Sequence, residues 1–248
     1  LPTQFRITLI ASHVRAQLAC PAVLVAHDGL QRHLPRASVR RSRVQRLGLA
    51  EQLNCFPRKL HFALAWTACT QFLDVIREVV HQGVIDIMLM SAYVSEQLTI
   101  KEGLFSKSHV TPAARANDTT DVWVIRHGCY TREPAQPFRS AAIDHIQCGQ
   151  IECDRSTDTF PGANLGLYSV TFVNDLEQDR ETLRWFKEFR EEAERKRFNY
   201  FLEVFDPNVD SGIPREKLGE FINDHIVRTL AGVPDAGRPL FLKIAYHG

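Results

Sequence analysis

From Leu167 to Tyr246 the chain alternates short apolar runs with long amphipathic ones, and no other feature constrains the fold as much. Leu167–Val173 (LYSVTFV) is rich in β-branched and aromatic residues, the composition of a strand. Asp175–Arg197 follows, with fifteen charges in twenty-three residues and a narrow apolar face of Leu176, Leu183, Phe186, Phe189 and Ala193. Its acids gather at the start and its cations at the end, the order that complements a helix dipole, so the charge run reads as the solvated face of an outer helix. Tyr200–Phe205 (YFLEVF) reads as the next strand. Pro214 then opens a helix whose apolar face runs through Leu218, Phe221, Ile222, Ile226 and Leu230 until Gly232. Pro239–Tyr246 (PLFLKIAY) reads as the last strand. Such crossovers imply a parallel sheet with helices outside it.

Upstream, Phe72, Val75, Ile76, Val79 and Val80 fall at i, i+3, i+4, i+7 and i+8, a helical stripe that Gly83 closes. Val84–Met90 (VIDIMLM) reads as a strand, and Val122–Ile125 and Ala141–Gln147 as two further short ones. Counting from Val84 gives six strands, beginning at Val84, Val122, Ala141, Leu167, Tyr200 and Pro239. The expected fold class is α/β, of (β/α)8 TIM-barrel type, incomplete at the C-terminus because six of eight staves are identifiable. No G-x-G-x-x-G or Walker pattern occurs, which weakens a nucleotide-binding open sheet.

Composition narrows the classes further. With 44% apolar and 24% charged residues in 248, the chain is neither disordered nor collagen-like and can build a sizeable core. The longest apolar stretch, Leu18–Ala26, is broken by Pro21 and is too short to span a bilayer. A net charge of +1 speaks against nucleic acid or a membrane as the main partner, yet it conceals an asymmetry. Residues 1–60 carry +8, with nine arginines among ten cations, and residues 61–248 carry −7. We therefore divide the chain into an unassigned basic segment, 1–60, and a barrel-type domain, 61–248. Three explanations of the first segment stand side by side: a basic arm that touches phosphate backbones, a transit peptide, and extraneous or poorly ordered sequence.

The six cysteines (Cys20, Cys55, Cys69, Cys129, Cys148, Cys153) form no dense framework and no secretory signal precedes them. They read as reduced thiols of a cytoplasmic protein. The spacing His145-x2-Cys148-x4-Cys153 is not a standard zinc pattern, and no metal or other cofactor is expected.

Two strands carry a charge inside an apolar run. In Phe201-Leu202-Glu203-Val204-Phe205, Glu203 shares a face with the two phenylalanines, and in Phe241-Leu242-Lys243-Ile244-Ala245, Lys243 shares a face with Phe241 and Ala245. Buried Glu and Lys are costly unless paired, and the C-terminal end of a parallel strand is where barrels keep their chemistry. An ion pair without chemistry explains the same residues. Asp144, read on a strand face with Ala142 and Ile146, and its neighbour His145 are candidates to line the site. Ser169 and Thr171 alternate on one face of their strand and are candidates to meet a sugar's hydroxyls; His247, just past the last strand, completes the set.

The segments LGLYSVTFVNDLEQDRETLRWFKEF, FLEVFDPN and PLFLKIAYHG together resemble the later strands of class I, Schiff-base aldolases, most of all the tagatose-bisphosphate branch. The resemblance covers residues 165–248. It implies a strand-six lysine that forms an imine, here Lys243, and a strand-five glutamate that moves protons, here Glu203. It further implies carbon–carbon bond cleavage or formation in a phosphorylated ketose or related keto compound, without a metal. Two other readings stay open: a catalytically inactive barrel that binds a small ligand or partner, which includes a homo-oligomer, and a nucleic-acid-associated protein using the Arg-rich segment.

Overall fold

The computed structural model describes residues 58–247, with side chains from residue 70 onward. Residues 1–57, and the readings of the basic segment and of Cys20 and Cys55 that fall on them, lie outside the described residues, as does the Cys69 side chain. Five strands form one all-parallel, curled sheet in the order β1-β2-β3-β4-β5. They are β1 (Ile87–Met90), β2 (Thr111–Arg115), β3 (Leu165–Thr171), β4 (Asn199–Phe205) and β5 (Leu242–Ile244). No described helix is long and apolar enough to cross a membrane.

The helices follow from local chemistry. Helix α1 (Arg58–Gln82) buries Ile76 and Val80 and ends at Gly83, whose φ of 61° suits a residue without a Cβ. Val75 of the expected stripe is instead 53% exposed. Ser91 caps the short α2 (Ala92–Ser95) by accepting the Val94 N–H. Asp175 caps α4 (Leu176–Arg195) by accepting the Glu177 and Gln178 N–H groups at 3.1 and 3.0 Å. The buried face of α4, Phe186, Phe189 and Ala193, packs on Tyr168 and Tyr200 of the sheet's outer surface, where Phe189 and Tyr168 stack with centroids 4.3 Å apart. Helix α5 (Leu218–Leu230) adds Ile222 and Ile226 to that core.

The structure corrects the expected strand set in three places. Val122–Ile125 is a 3-10 turn (Asp121–Trp123) and its continuation, with Trp123, Val124 and Ile125 all more than 60% exposed. Ala141–Gln147 holds most of a helix, α3 (Ile143–Cys148), which Gly149 ends at φ 72°. A strand that the pattern did not reveal, β2, has the sequence TPAAR. Pro112 argues against a central strand because it lacks a ladder donor. It is tolerated here because β3 joins β2 only at Ala114 and Arg115. Two strands lost and one gained leave five, so Glu203 lies on the fourth and Lys243 on the fifth. The fold is therefore α/β with a five-stranded parallel half-barrel among the described residues, not a full eight-stranded barrel. The cysteine reading also changes: Cys148 and Cys153 form a disulfide, and Cys129 is a free thiol.

Candidate functional site

Strand alternation places every second side chain on the concave face of the sheet. The parallel register then stacks that face in layers. Two mainly apolar layers lie below: Leu89, Ala113 and Leu165, and then Leu167 and Phe201, with the Phe241 ring stacked on Phe201 at 4.6 Å and Arg115 level with Leu167. One step toward the C-terminal ends, Ser169 stands opposite Glu203 and Glu203 opposite Lys243. Asn117, just beyond β2, joins this layer by donating to the Ser169 carbonyl and accepting the Ser169 N–H, both at 2.8 Å. Its side chain thus continues the ladder past the end of the strand.

Glu203 is 2% exposed, and its Oε1 accepts a hydrogen bond from Lys243 Nζ. Its Oε2 is buried and has no partner among the described residues. The Lys243 side chain keeps 20% of its surface, enough for the amine to face an open cleft. Burial first, and then the Arg115 guanidinium, lowers the amine to about 8 from its ordinary 10.5. Arg115 ends β2 on this same concave face, and its Nη1 is buried without a partner among the described residues. Burial lowers the guanidinium, against the opposing charge of Asp118.

The cleft above Lys243 holds about 430 Å³ and is walled by Tyr130, Phe205, Pro207 and Asn208. Asn208 fixes the loop that carries Tyr130. Its amide donates to the Tyr130 and Glu133 carbonyls, and its oxygen accepts the Ala135 N–H at 3.0 Å. Burial raises the Tyr130 phenol.

Of the residues expected from sequence, Lys243, Glu203, Ser169 and Thr171 share the concave face. Ser169 Oγ donates to Asn117 Oδ1 at 3.2 Å, so its hydroxyl is engaged in holding Asn117, whereas the buried Thr171 Oγ1 is unpartnered among the described residues. His247 sits beside this cleft, 3.0 Å from Asp206, in a neighbouring hollow of about 550 Å³. Asp206 lines both hollows.

Asp144 and His145 are placed elsewhere. They lie on helix α3, not on a strand, and the Asp144 carboxylate pairs with Arg155 and with Lys196 at the turn between α4 and β4. That turn feeds the N-terminal end of β4, the opposite end of the sheet from Lys243. Burial pushes the Asp144 carboxyl up, but hydrogen bonds from Lys196, the Cys153 N–H and Arg155 outweigh it and hold the group below its usual range. His145 is exposed.

Arg115, Asn117, Tyr130 and Asn208 were not among the site candidates read from sequence. The available signal was the dense polar run after Ala114, where Asn117 precedes Asp118-Thr119-Thr120-Asp121.

Compared with known protein families, with curated proteins and with solved structures, the chain matches none. The resemblance to class I aldolases is therefore corrected. No family match supports it, and the strand numbering that agreed with it rested on two strands that do not exist.

Proposed function

We propose that the C-terminal end of the sheet is a lysine-imine site and that the protein is a carbon–carbon lyase acting on a small keto compound. The observation that carries this reading is Lys243: an amine lowered to about 8, open to a cleft, beside a buried carboxylate with one oxygen free. The neutral amine adds to the ketone, and loss of water gives a protonated imine. Glu203 takes the proton of a hydroxyl one carbon beyond the imine's α-carbon. The bond between those two carbons breaks, an aldehyde leaves, and the electron pair moves to the imine nitrogen as an enamine. Protonation at the α-carbon and addition of water release the shortened keto product and return the free amine.

The architecture that goes with this reading is a closed (β/α)8 barrel of which these five strands form one wall. Its support is that the pairings of the five described strands are all parallel and that the charged layer sits toward the strands' C-terminal ends. A second reading, a structural ion pair without chemistry, is favoured by the direct Lys243–Glu203 contact. The nucleic-acid reading rests on residues outside those described.

Borohydride reduction in the presence of a panel of ketones separates the two readings. The lyase reading expects a reduced adduct on the Lys243 peptide that is absent from Lys243→Met. Labelling of another lysine, or of none, leaves the ion pair as the account of both residues.

A further inference from the structure

The disulfide between Cys148 and Cys153 lies outside the lysine site, and its surroundings connect it to a strained turn. Cys148 ends helix α3, and the residues that the bridge encloses, 149–152, are all exposed. Beyond the bridge the chain turns back onto the protein. The Cys153 N–H donates to Asp144 Oδ1 at 3.1 Å. Two residues on, the Arg155 guanidinium pairs with Asp144 and donates to Gln147 Oε1 at 3.1 Å and to the Lys196 carbonyl at 2.8 Å. Arg197 reaches the opposite way: its guanidinium pairs with Asp158 and donates to the Arg155 carbonyl at 2.6 Å. Residues 153–158 are thereby fastened to the turn between α4 and β4. Arg197 has need of that hold. Its φ is 52°, the left-handed region that a residue with a Cβ rarely adopts, and such a conformation persists only where its surroundings over-determine it.

We propose that the Cys148–Cys153 pair is a redox latch on the α4–β4 turn: as a disulfide it holds residues 153–158 against Arg197, and as two thiols it releases them. The proposal is independent of the lysine-imine reading. A dithiol reductant opens the latch by exchange. Its thiolate attacks one bridge sulfur, the S–S bond breaks to a mixed disulfide, and its second thiol displaces the protein sulfur. The protein gains two electrons and two protons as two thiols, and the reductant leaves as its own disulfide. A small-molecule disulfide reverses the exchange. Both cysteines are half-buried beside the exposed loop, within reach of such a reagent. Their sulfurs lie 3.2 and 3.3 Å from the Asp144 carbonyl oxygen, an acceptor for the thiols that reduction forms, so the open state strands no new donor. Without the bridge the enclosed loop regains its freedom, and ordering residues 153–158 against the turn becomes less favourable. Arg197 then relaxes, and the N-terminal end of β4, the strand that carries Glu203, frays.

The test uses the full chain, oxidised with glutathione disulfide or reduced with dithiothreitol, and thiol alkylation is read on individual peptides. In the oxidised protein Cys148 and Cys153 should resist alkylation while the free Cys129 reacts. Reduction should expose both, and re-oxidation should protect them again. Amide hydrogen exchange is then compared between the two forms. Reduction should speed exchange in residues 153–158 and 196–199 roughly 10-fold or more, and leave residues 87–90 of β1 unchanged. In Arg197→Gly, where the left-handed residue carries no strain, reduction should still loosen 153–158 but change 196–199 by less than about 2-fold. Alkylation of Cys148 or Cys153 in the oxidised chain overturns the bridge itself. Exchange that is indifferent to reduction, or that rises equally in β1, overturns the latch, and so does a full response of 196–199 in Arg197→Gly. If Arg197→Gly fails to fold, the contrast between 196–199 and 87–90 in the unaltered chain decides the matter.

Discussion

Lys243 should behave unlike any ordinary lysine as the pH is changed. With the amine lowered to about 8, about one molecule in eleven carries it neutral at pH 7. For an amine at 10.5 the share is roughly one in three thousand, so the advantage is roughly 300-fold. Competitive labelling with a trace amine-selective acylating reagent, read by peptide mass spectrometry from pH 6 to 11, reports this directly. The Lys243 peptide should label along a curve with its midpoint near 8, with the peptide of exposed Lys107 followed as an internal control for the reagent. Stability carries the same information with a definite sign. The folded value lies below the unfolded one, so between about pH 8 and 10.5 the unfolded chain holds the extra proton and this lysine's contribution to stability rises with pH. Across the whole window that rise is about 3 kcal/mol, at about 1.4 kcal/mol per pH unit. It is read as the difference between the protein and Lys243→Met, because the buried Tyr168 and Tyr200 phenols, raised by burial, add an opposite trend at high pH. A labelling midpoint above about 10, or a flat difference, would refute the claim that burial and Arg115 govern this amine.

The remaining expectations concern the scaffold. Phe189→Ala should cost ~3–5 kcal/mol in urea unfolding, because the ring is fully buried against Tyr168 and Tyr200. Asp144→Ala should cost ~1–3 kcal/mol, because Lys196 and Arg155 lose a buried acceptor but keep Glu192 and the Lys196 carbonyl, while the Lys243 labelling midpoint stays in place; a shift of that midpoint would show that Asp144 belongs to the site after all. Gly166→Ala should lower the melting temperature, since its Cβ would lie 2.5 Å from the Phe198 ring, and adding Phe198→Ala should relieve that clash. Replacing Glu203 and Lys243 together by Leu and Met should destabilise the chain less than Lys243→Met alone, because the single change leaves a buried carboxylate unpaired.

Where the pattern is strong, sequence located the element. Helix α4 was legible because fifteen charges leave only a narrow stripe to bury, and β3 and β4 because β-branched and aromatic residues fill both faces of a sheet covered by helices. The middle of the chain was not legible. Val122–Ile125 has strand composition, yet Thr120 accepts the Val122 N–H and tightens the segment into a turn. Strand β2 hides because its core residues, Ala113 and Ala114, are small and its second residue is proline. With β2 unseen, Arg115 had no face to belong to, and the site was read as a pair rather than a layer. Asp144 shows the reverse error. It is buried and charged as expected, but on a helix of six residues whose period a short apolar run cannot reveal.

The cue that survived these errors was a charge at alternate spacing within an apolar strand, and its physics explains why. Such a charge costs several kcal/mol of desolvation unless something compensates it. A lone Lys243–Glu203 pair would meet that demand most cheaply with every remaining polar atom satisfied. Here Glu203 Oε2 and Arg115 Nη1 have no partner among the described residues, and burial, then the Arg115 charge, lowers the amine despite its carboxylate neighbour. Each of these weakens a structural ion pair and strengthens a binding site, since unmet valence in a dry, ordered layer is what a ligand can meet. The apolar layer beneath, Leu167 and Phe201 with Phe241 stacked on it, supplies the dryness and holds the strands that aim the charges. The charged pair and the apolar packing that supports it therefore occupy successive layers of one face, separated by a single step of the strand.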